Sequence, residues 1–366
     1  MIVKEGGHSI AVENGVFYNP KMKGLRDISV AFLKSAGAEG TTLLDSTSAT
    51  GIRGIRYSDS GVAGLTFLDI SEKASENTKR NVKRNNLEGI SRVFNKSIQE
   101  FAHTSEKFDI IDLDPFGSPM PYMNDIMKLS KGGTIMMVTA TDTAVLCGAH
   151  PKACIKSYDA RPLHNELCKE VGIRILMGYA IRIAAKFNFG VDVLMVLSDM
   201  HYMRIFYRMR AGAENAVASM KEGGFGAYCN SCGSFGYSKG IAPAFQQACS
   251  NCGKRLEAFG PLYLGRLYDK RIVGKILENL EDGNARKIIE VINDELDIPF
   301  FYNIPKITKL RRVGSASPAG IMSALGNAGH RCSPTQFSHS SIKTAAGIKA
   351  VEKALRSAKD FRLRAR

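Results

Sequence analysis

Between residues 41 and 142 the chain alternates five times between a short apolar run and a more polar stretch of helical character. The predicted strands are TTLLD (41–45), GLTFLDIS (64–71), SRVFNKS (91–97), KFDIIDLDP (107–115) and GGTIMMVTATD (132–142). This alternation is typical of a parallel sheet that carries helices on both faces. The sequence therefore predicts an α/β fold for this part of the chain.

Three carboxylates, Asp45, Asp69 and Asp114, fall at the carboxyl ends of predicted strands. Parallel strands bind their ligands at their carboxyl ends, close to the point where the strand order reverses. Three acids at one edge of a sheet are difficult to explain as packing, so we expect this edge to form a binding or catalytic site.

The sequence predicts that the first domain closes near residue 211. A long helix over 161–187 and two strands over 191–198 and 200–210 follow the alternating region. A chain of 366 residues, 44% of them hydrophobic, can build two cores. We expect a first domain over 1–211 and a smaller α+β domain over 212–366, which has a cysteine quartet and a basic end.

Composition favours a polyanionic partner. The formal net charge is +15, with 50 Lys and Arg against 35 Asp and Glu. Such an excess suits nucleic acid, because each neutralised phosphate releases counterions, although a surface adapted for solubility is the alternative. Apolar runs long enough for a membrane helix and the apolar core of a signal peptide are absent, so we expect a cytoplasmic protein without a membrane partner.

The segment DSTSATGIRG (45–54) predicts a cofactor-binding loop between a strand and a helix. A turn that needs glycine would explain Gly51 equally well. Asp69 lies 18 residues beyond Gly51, where a carboxylate can accept hydrogen bonds from two ribose hydroxyls. Either a dinucleotide or S-adenosylmethionine fits this pattern. For the latter, the arginines at positions 26, 53 and 56 are candidates to bind the carboxylate, with solvated surface charge as the alternative.

The segment DPFG (114–117) indicates chemistry on an aromatic amine. The lone pair of such a nitrogen is delocalised, and two acceptors on its hydrogens help it to attack a methyl group. Asp114 and the carbonyl of Pro115 can be these acceptors, and Phe116 offers a ring to the base. A simple turn would explain the proline and glycine only. Phe17 and Tyr18 are our candidates for stacking on an extruded base, with a core contact as the alternative.

Four cysteines have the spacing of a metal site. They are Cys229, Cys232, Cys249 and Cys252. Two C-x-x-C pairs at this separation predict a tetrahedral zinc site of four thiolates, structural because it has no open position. An iron–sulfur site is the less favoured alternative. Disulfides are not expected in a chain of this kind.

Several motifs together resemble the tRNA guanine-26 N2-dimethyltransferases. They are FYNPKMKGLRD, SATGIRGIRY, DLDPFGSP, the paired C-x-x-C motifs, GPLYLGRLYD and TQFSHSSIKT, in that order along the chain. The resemblance, of archaeal type, implies a Rossmann-like class I methyltransferase domain and a C-terminal domain that helps to bind tRNA. It implies S-adenosylmethionine as cofactor and one or two methyl transfers to the exocyclic N2 of guanine-26.

The resemblance also implies roles for individual residues. Asp114 is expected to be the catalytic carboxylate, and Phe116 and Phe17 are expected to be rings of the base pocket. The expected cofactor ligands are Arg26, Asp45, Gly51, Arg56, Asp69, Ser97 and Ile98. Ser97 and Ile98 lie near the position at which family members often carry an acid. At these two residues we expect the backbone to contact the adenine of the cofactor.

Two alternative functions remain open. An amino-methyltransferase acting on DNA would share the site, and a non-catalytic zinc-ribbon protein that binds RNA would not need it. The basic segment NIPKITKLRRVG (303–314) and the final helix are candidates for phosphate contacts, with a solvated helix face as the alternative. No obligate protein partner is expected.

Overall fold

The computed structural model describes residues 1–104, 106–199, 201–244, 246–281, 283–312, 314 and 316–364, with side chains up to residue 358. The strands are β1 (Ile2–Glu5), β2 (His8–Ala11), β3 (Thr42–Asp45), β4 (Gly64–Asp69), β5 (Ser91–Asn95), β6 (Ile110–Leu113), β7 (Ile135–Ala140), β8 (Phe189–Ser198), β9 (Met203–Ala211), β10 (Gly223–Tyr228), β11 (Phe235–Lys239), β12 (Glu257–Tyr263), β13 (Tyr302–Asn303), β14 (Cys332–Ser333) and β15 (Ser341–Thr344). The helices are α1 (Lys23–Ala36), α2 (Ile52–Tyr57), α3 (Glu72–Arg84), α4 (Ile98–Phe101), α5 (Met123–Lys128), α6 (Thr143–Leu146), α7 (Pro151–Tyr158), α8 (Cys168–Lys186), α9 (Ala213–Lys221), α10 (Lys270–Glu278), α11 (Asn284–Asp294), α12 (Ile304–Arg311), α13 (Pro318–Asn327) and α14 (Ile348–Arg364). None of the helices in these described ranges is long and apolar enough to cross a membrane.

The central sheet has seven strands in the order β5-β4-β3-β6-β7-β9-β8. The strands from β5 to β7 pair in parallel, and β9 runs antiparallel to both of its neighbours. The strand order reverses between β3 and β6, as in a doubly wound fold. The predicted parallel α/β sheet is therefore confirmed.

Two predicted elements start later than expected. The helix predicted over 161–187 begins at Cys168, because Arg161 pairs with the backbone of Gly260 in a β-bridge and Pro162 disfavours helix before it. The strand predicted over 200–210 begins at Met203, and its first residue lies outside the described ranges.

An N-terminal hairpin of β1 and β2 was not predicted. Asparagines at four-residue intervals along α3 hold this hairpin, because their side-chain amides form hydrogen bonds with the backbone of β2, as a neighbouring strand would. Asn81 Oδ1 accepts a hydrogen bond from Ala11 N at 2.7 Å, and Asn85 Oδ1 accepts one from Ser9 N at 3.0 Å. This attachment fixes the start of the segment that carries Phe17.

The chain after β9 packs closely against the first 211 residues. Helix α9 contacts β8, β9 and α8, while α10 and α11 pack against α1. The large apolar core continues into Phe259, Phe300 and Phe337. A second core lies among α12, α13, α14 and the small sheet β13-β15-β14, and the sheet β11-β10-β12 stands next to the cysteines.

Candidate functional site

The predicted acids lie together at the carboxyl ends of the central strands, which we call the carboxyl edge. Asp45 and Asp69 are the last residues of β3 and β4, which are neighbours in the sheet. Asp112 pairs with Asp45 across β3 and β6, and Asp114 is the first residue after β6. The topology thus brings the predicted carboxylates to one edge.

Asp69 links the cofactor loop to the start of α3. Its Oδ2 accepts a hydrogen bond from Ala49 N at 2.8 Å, and its Oδ1 accepts one from Ser71 N at 2.9 Å. The next residue, Ile70, is 77% exposed. An acceptor beside an exposed aliphatic side chain can bind the hydroxyls of a ribose and one face of a base.

Ser97 and Ile98 lie at the end of the neighbouring strand β5. Ser97 caps α4, because its hydroxyl accepts a hydrogen bond from Glu100 N and its own N–H donates to the Glu100 carboxylate. Ile98 is buried. Both side chains are therefore used locally, and a contact of the backbone here with the cofactor stays a prediction.

The loop over 46–51 is tied to the strand ends. Ser46 Oγ donates to the carbonyl of Asp112 at 2.7 Å, and Ser48 Oγ donates to that of Leu68 at 3.1 Å. Gly51 has a φ of 75°, and a Cβ there would lie 2.8 Å from Thr78 Cγ2. Position 51 therefore requires glycine for both conformation and space.

Asp114 is fixed from two sides. Its N–H donates to Thr47 Oγ1 at 3.2 Å, and its Oδ2 lies 2.5 Å from Arg53 Nη2. Its other carboxylate oxygen makes no hydrogen bond with the described residues. The buried Pro115 likewise has a carbonyl that accepts no hydrogen bond from the described part of the chain, so adjacent residues each have an acceptor without a partner there.

Two exposed aromatic rings meet beside Asp114. Phe17 and Phe116 are 51% and 73% exposed, and their ring centroids lie 4.6 Å apart in an edge-to-face contact. Gly117, at a φ of 75°, turns the chain away, and its N–H donates to Thr141 Oγ1 at 2.8 Å. The structure thus brings together two rings that are 99 positions apart in sequence. Tyr18 is half-buried and lies against Arg26 instead.

A buried ion cluster lies behind Asp114. Asp112 pairs with Arg204 at 2.9 Å, accepts a hydrogen bond from the Tyr57 hydroxyl and lies 3.8 Å from Arg53 Nη1. Burial alone would raise the pKa of Asp112, but the Arg204 and Arg53 guanidinium groups outweigh burial and hold that pKa below its usual range.

Asp45 is the neighbouring acid without a cationic partner of its own. Its Oδ2 accepts a hydrogen bond from Gly54 N at 3.0 Å, while its buried Oδ1 has no partner among the described residues. Burial and the nearby Asp112 charge raise the pKa of Asp45 to about 7. A cation that binds near the loop would therefore lower the pKa of Asp45 and favour its ionised form.

Arg26 and Arg56 both pair with Glu5 and not with the acids of the carboxyl edge. Glu5 accepts hydrogen bonds at 2.7 Å from Arg26 Nε, Arg26 Nη2 and Arg56 Nη1, and Asp27 accepts one from Arg56 Nη2 at 2.8 Å. Both arginines are buried. Their assignment as cofactor ligands stays a prediction, since their donors are engaged by Glu5 and Asp27 here.

The four cysteines form one cluster. Their Sγ atoms all lie within 4.8 Å of one another, with Cys229–Cys252 at 3.5 Å and Cys232–Cys249 at 3.6 Å. A tetrahedron with Zn–S bonds of about 2.3 Å has an edge of roughly 3.8 Å. The predicted clustering is confirmed, and the donor set fits a tetrahedral metal ion.

The two halves of the cluster have the same backbone geometry. Gly233 and Gly253 have φ values of 76° and 70°, and each donates its N–H to the carbonyl of the first cysteine of its pair at 2.8 Å. Burial would raise the pKa of Cys249, but hydrogen bonds from Ser234 and backbone amides outweigh burial and lower it to about 6. Cys249 thus favours the thiolate, the form that binds metal, whereas burial raises the pKa of Cys229 to about 12.

The carboxyl edge fits a cationic adenosyl cofactor. The unpartnered Asp45 Oδ1 suits a positive charge, Asp69 suits a ribose diol, and exposed Ile70 suits an adenine face. The sequence analysis did not single out Ile70, although an apolar residue directly after a strand-ending acid was visible in LDIS. Tyr57 and Arg204 were also missed, because no local pattern indicates which distant side chains will meet.

The fold and the site define an α/β methyltransferase. The chain superimposes on the structure described as Trm1 from Pyrococcus horikoshii in complex with S-adenosyl-L-methionine, with a TM-score of 0.90 and 34% sequence identity. The match covers 97% of this chain and 99% of that chain.

The chain belongs to the N2,N2-dimethylguanosine tRNA methyltransferase family, whose model matches residues 1–356. It is 37% identical to the tRNA (guanine(26)-N(2))-dimethyltransferase of Pyrococcus horikoshii, over 91% of this chain and 90% of that protein. It is 35% identical to the protein of the same name from Thermococcus kodakarensis, over 97% and 98% of the two chains. The resemblance found from the motifs is therefore confirmed.

Proposed function

We propose that this protein is an S-adenosylmethionine-dependent enzyme that transfers one or two methyl groups to the exocyclic N2 of guanine-26 in tRNA. The observation that carries the proposal is the placement of Asp114 at the carboxyl edge. This acid has one oxygen without a partner among the described residues, and it lies two residues before Phe116, whose exposed ring contacts that of Phe17. Family membership gives the substrate, since the chain's geometry alone would also suit other aromatic amines.

The acceptors at residues 114 and 115 activate the amine. Bound S-adenosylmethionine would supply an electrophilic methyl carbon, with the bond from this carbon to sulfur breaking and the neutral thioether as leaving group. Asp114 and the Pro115 carbonyl accept the two amine hydrogens, which favours the tetrahedral nitrogen and stabilises its developing positive charge. In-line attack needs the nitrogen at about 3–3.5 Å from the carbon. Asp114 then takes the proton that the nitrogen releases and passes it to solvent.

The aromatic pair receives the base. A guanine stacked in tRNA must be extruded to reach Asp114, at a cost of a few kcal/mol. Phe17 and Phe116 touch edge-to-face with their ring centroids 4.6 Å apart, which leaves no room for a base between them, so we propose that the rings separate to hold the base. Stacking on an aromatic ring contributes about 1–3 kcal/mol per base and so offsets the extrusion.

We propose that the cofactor lies along the ends of β3, β4 and β5. Asp69 accepts the ribose hydroxyls, and Ile70 with the backbone at 97 and 98 contacts the adenine. The loop over 45–51, with Gly51, surrounds the methionine part. Arg26 and Arg56 bind its carboxylate if Glu5 shares them with the ligand.

Residues 212–366 are proposed to bind tRNA, with residues 1–211 as the catalytic domain. Lys309 on α12 and Arg312 directly after it are exposed. Arg311 pairs instead with Glu352, with its Nε 2.7 Å from Glu352 Oε1, and so stabilises the packing of α12 on α14. Exposed cations on one rigid helix suit a phosphate backbone.

The cysteine cluster is proposed to hold structural zinc. Four thiolates leave no position for a substrate or water, so the metal has no part in methyl transfer. A Cβ at Gly233 would lie 3.6 Å from both Ile307 and Leu310 of α12. The metal site therefore supports the helix that is proposed to contact tRNA.

The test of the function is mass spectrometry of nucleosides from tRNA transcripts incubated with enzyme and cofactor. We expect N2-methylguanosine and N2,N2-dimethylguanosine from transcripts with guanine-26, and neither from transcripts with adenine there. Asp114→Ala should lose transfer by at least 100-fold and still bind cofactor in calorimetry. The control Asp192→Ala removes an exposed acid paired with Arg210 and should be fully active.

Three outcomes would contradict the proposal. Methylation of duplex DNA in preference to tRNA would indicate the DNA amino-methyltransferase. Absence of cofactor binding by the wild-type protein would favour the non-catalytic RNA-binding protein. Full activity of Asp114→Ala would remove the assigned catalytic acid.

A further inference from the structure

Arg53 is a buried arginine whose short contact is to the catalytic acid. It is the second residue of α2, and its side chain is 8% exposed. Its Nη2 lies 2.5 Å from Asp114 Oδ2, whereas its Nη1 lies 3.5 Å from the Tyr57 hydroxyl and 3.8 Å from Asp112 Oδ2. One guanidinium thus spans the surface acid and the buried cluster.

The groups behind Arg53 are themselves fixed. Arg204 pairs with Asp112 at 2.9 Å, donates to Thr139 Oγ1 at 2.5 Å and donates to the Tyr57 hydroxyl at 3.3 Å. Asp112 and Arg204 are fully buried. Because Arg204 already balances the charge of Asp112, the short ion pair of Arg53 is left for Asp114.

This contact decides which oxygen of Asp114 is available. Arg53 holds Oδ2, so the carboxylate cannot rotate freely about its side-chain bonds, and the hydrogen bond from the Asp114 N–H to Thr47 Oγ1 fixes the backbone of this residue. Its remaining oxygen has no partner among the described residues. A guanidinium fork holds a carboxylate more rigidly than a lysine would.

We propose that Arg53 is a positioning residue for methyl transfer, which orients Asp114 so that its free oxygen meets the amine of the base. The inference rests on the proposed function. It differs from the expectation that Arg53 binds the carboxylate of the cofactor, because its donors face Asp114, Tyr57 and Asp112. It also joins the acid to α2, the helix that begins directly after the cofactor loop.

The test compares Arg53→Met with wild type at saturating cofactor and tRNA. We expect kcat to fall roughly 10- to 100-fold, because misplacing a reacting group by about 1 Å costs on this order. The Kd for S-adenosylmethionine, measured by calorimetry without tRNA, should stay within about threefold of wild type. Arg53→Lys keeps a cation with shorter reach and should recover part of kcat.

A double-substitution cycle separates positioning from a general structural role. If Arg53 acts through Asp114, adding Arg53→Met to Asp114→Asn should slow the enzyme by no more than about twofold. The matched control is Arg210→Met, which removes a surface arginine paired with Asp192 and should leave kcat and Kd unchanged. Melting temperatures of all variants show whether each is folded.

The inference is overturned if Arg53→Met keeps wild-type kcat, or if its loss multiplies fully with that of Asp114→Asn. A tenfold weaker Kd with unchanged kcat would assign Arg53 to the cofactor instead. If Arg53→Met does not fold, Arg53→Lys decides by the same two measurements. These results differ from failure of the proposed function, in which the wild-type enzyme itself would leave guanine-26 unmodified.

Discussion

Asp45, Asp112 and Asp114 are three acids that share only two guanidinium groups, those of Arg53 and Arg204. Such an excess of negative charge in a buried site is relieved when one acid keeps its proton. Asp45 is that acid, since burial and Asp112 raise its pKa from the ordinary value of 3.8 to about 7. With Asp45 neutral, the cluster carries no net charge, and a cationic ligand would favour its ionisation.

We predict that Asp45→Asn removes a pH dependence of stability in the cofactor-free protein. Because the folded-state pKa is raised, the proton on Asp45 stabilises the fold fully below about pH 4, and this contribution is lost as the pH rises to about 7. Each pKa unit corresponds to about 1.4 kcal/mol. The variant should therefore gain on the order of 2–4 kcal/mol over wild type between pH 5 and pH 8.

Urea unfolding at several pH values measures this gain. Asn retains an oxygen to accept from Gly54 N, so the loop hydrogen bond is kept. The control is Asp294→Asn, an exposed acid on α11, which should keep the pH dependence of the wild type. Equal slopes for Asp45→Asn and wild type would mean that Asp45 is ionised in the folded protein throughout this range.

At the scale of the element, helix α2 positions the groups that contact two acids of the site. It lies directly on β4, because Gly54 has no side chain and a Cβ there would be 2.2 Å from Phe67 Cε1. This close approach lets the same six-residue helix carry Arg53 to Asp114 and Gly54 to Asp45. A small residue at the helix–sheet contact thus sets the geometry of two acids.

We predict that Gly54→Ala destabilises the protein by about 1–3 kcal/mol through overpacking. The methyl group would push α2 away from Phe67, so kcat should fall as well. The control is Gly274→Ala in α10, where a Cβ meets no atom within 4 Å, and alanine should be neutral or stabilising by up to about 1 kcal/mol. Chemical denaturation measures both. Equal effects of the two substitutions would exclude the contact with Phe67 as the cause.

The sequence allowed the sheet and its acids to be predicted because both depend on local pattern. Asp69 and Asp114 end apolar runs, and the paired C-x-x-C motifs have a characteristic spacing. The contact of Arg53 with Asp114, and that of Glu5 with Arg26, could not be predicted in this way. Each joins side chains from different elements, and an arginine looks the same in sequence whether it is solvated or buried.

At the scale of the whole molecule, the cysteine cluster lies where the two apolar cores approach each other. Phe235, two residues beyond the first cysteine pair and its glycine, packs against Phe300 of the large core and Tyr302 of the second core. The hydroxyl of Tyr228 donates to Glu166, which precedes α8. The cluster is therefore connected to the catalytic part of the chain and to the proposed tRNA-binding helix.

We predict that the purified protein contains one zinc ion per chain and that its removal weakens tRNA binding before it affects the cofactor site. Chelation, or Cys232→Ser, frees the segment that carries Gly233 and so loosens α12 against it. The melting temperature should fall by several degrees and KM for tRNA should rise about tenfold or more. The Kd for S-adenosylmethionine should stay at its wild-type value, because the carboxyl edge belongs to the central sheet and not to the segment that carries the cysteines.

Metal analysis, thermal melting and calorimetry check these effects on the full chain. Cys332→Ser is the control, since this cysteine lies outside the cluster and donates to the carbonyl of Met322, which a serine hydroxyl can also do. Iron in place of zinc would favour the alternative of an iron–sulfur site. Loss of kcat in a folded, metal-free protein with unchanged KM for tRNA would contradict a purely structural metal, because the four thiolates would then have to act on the methyl transfer itself.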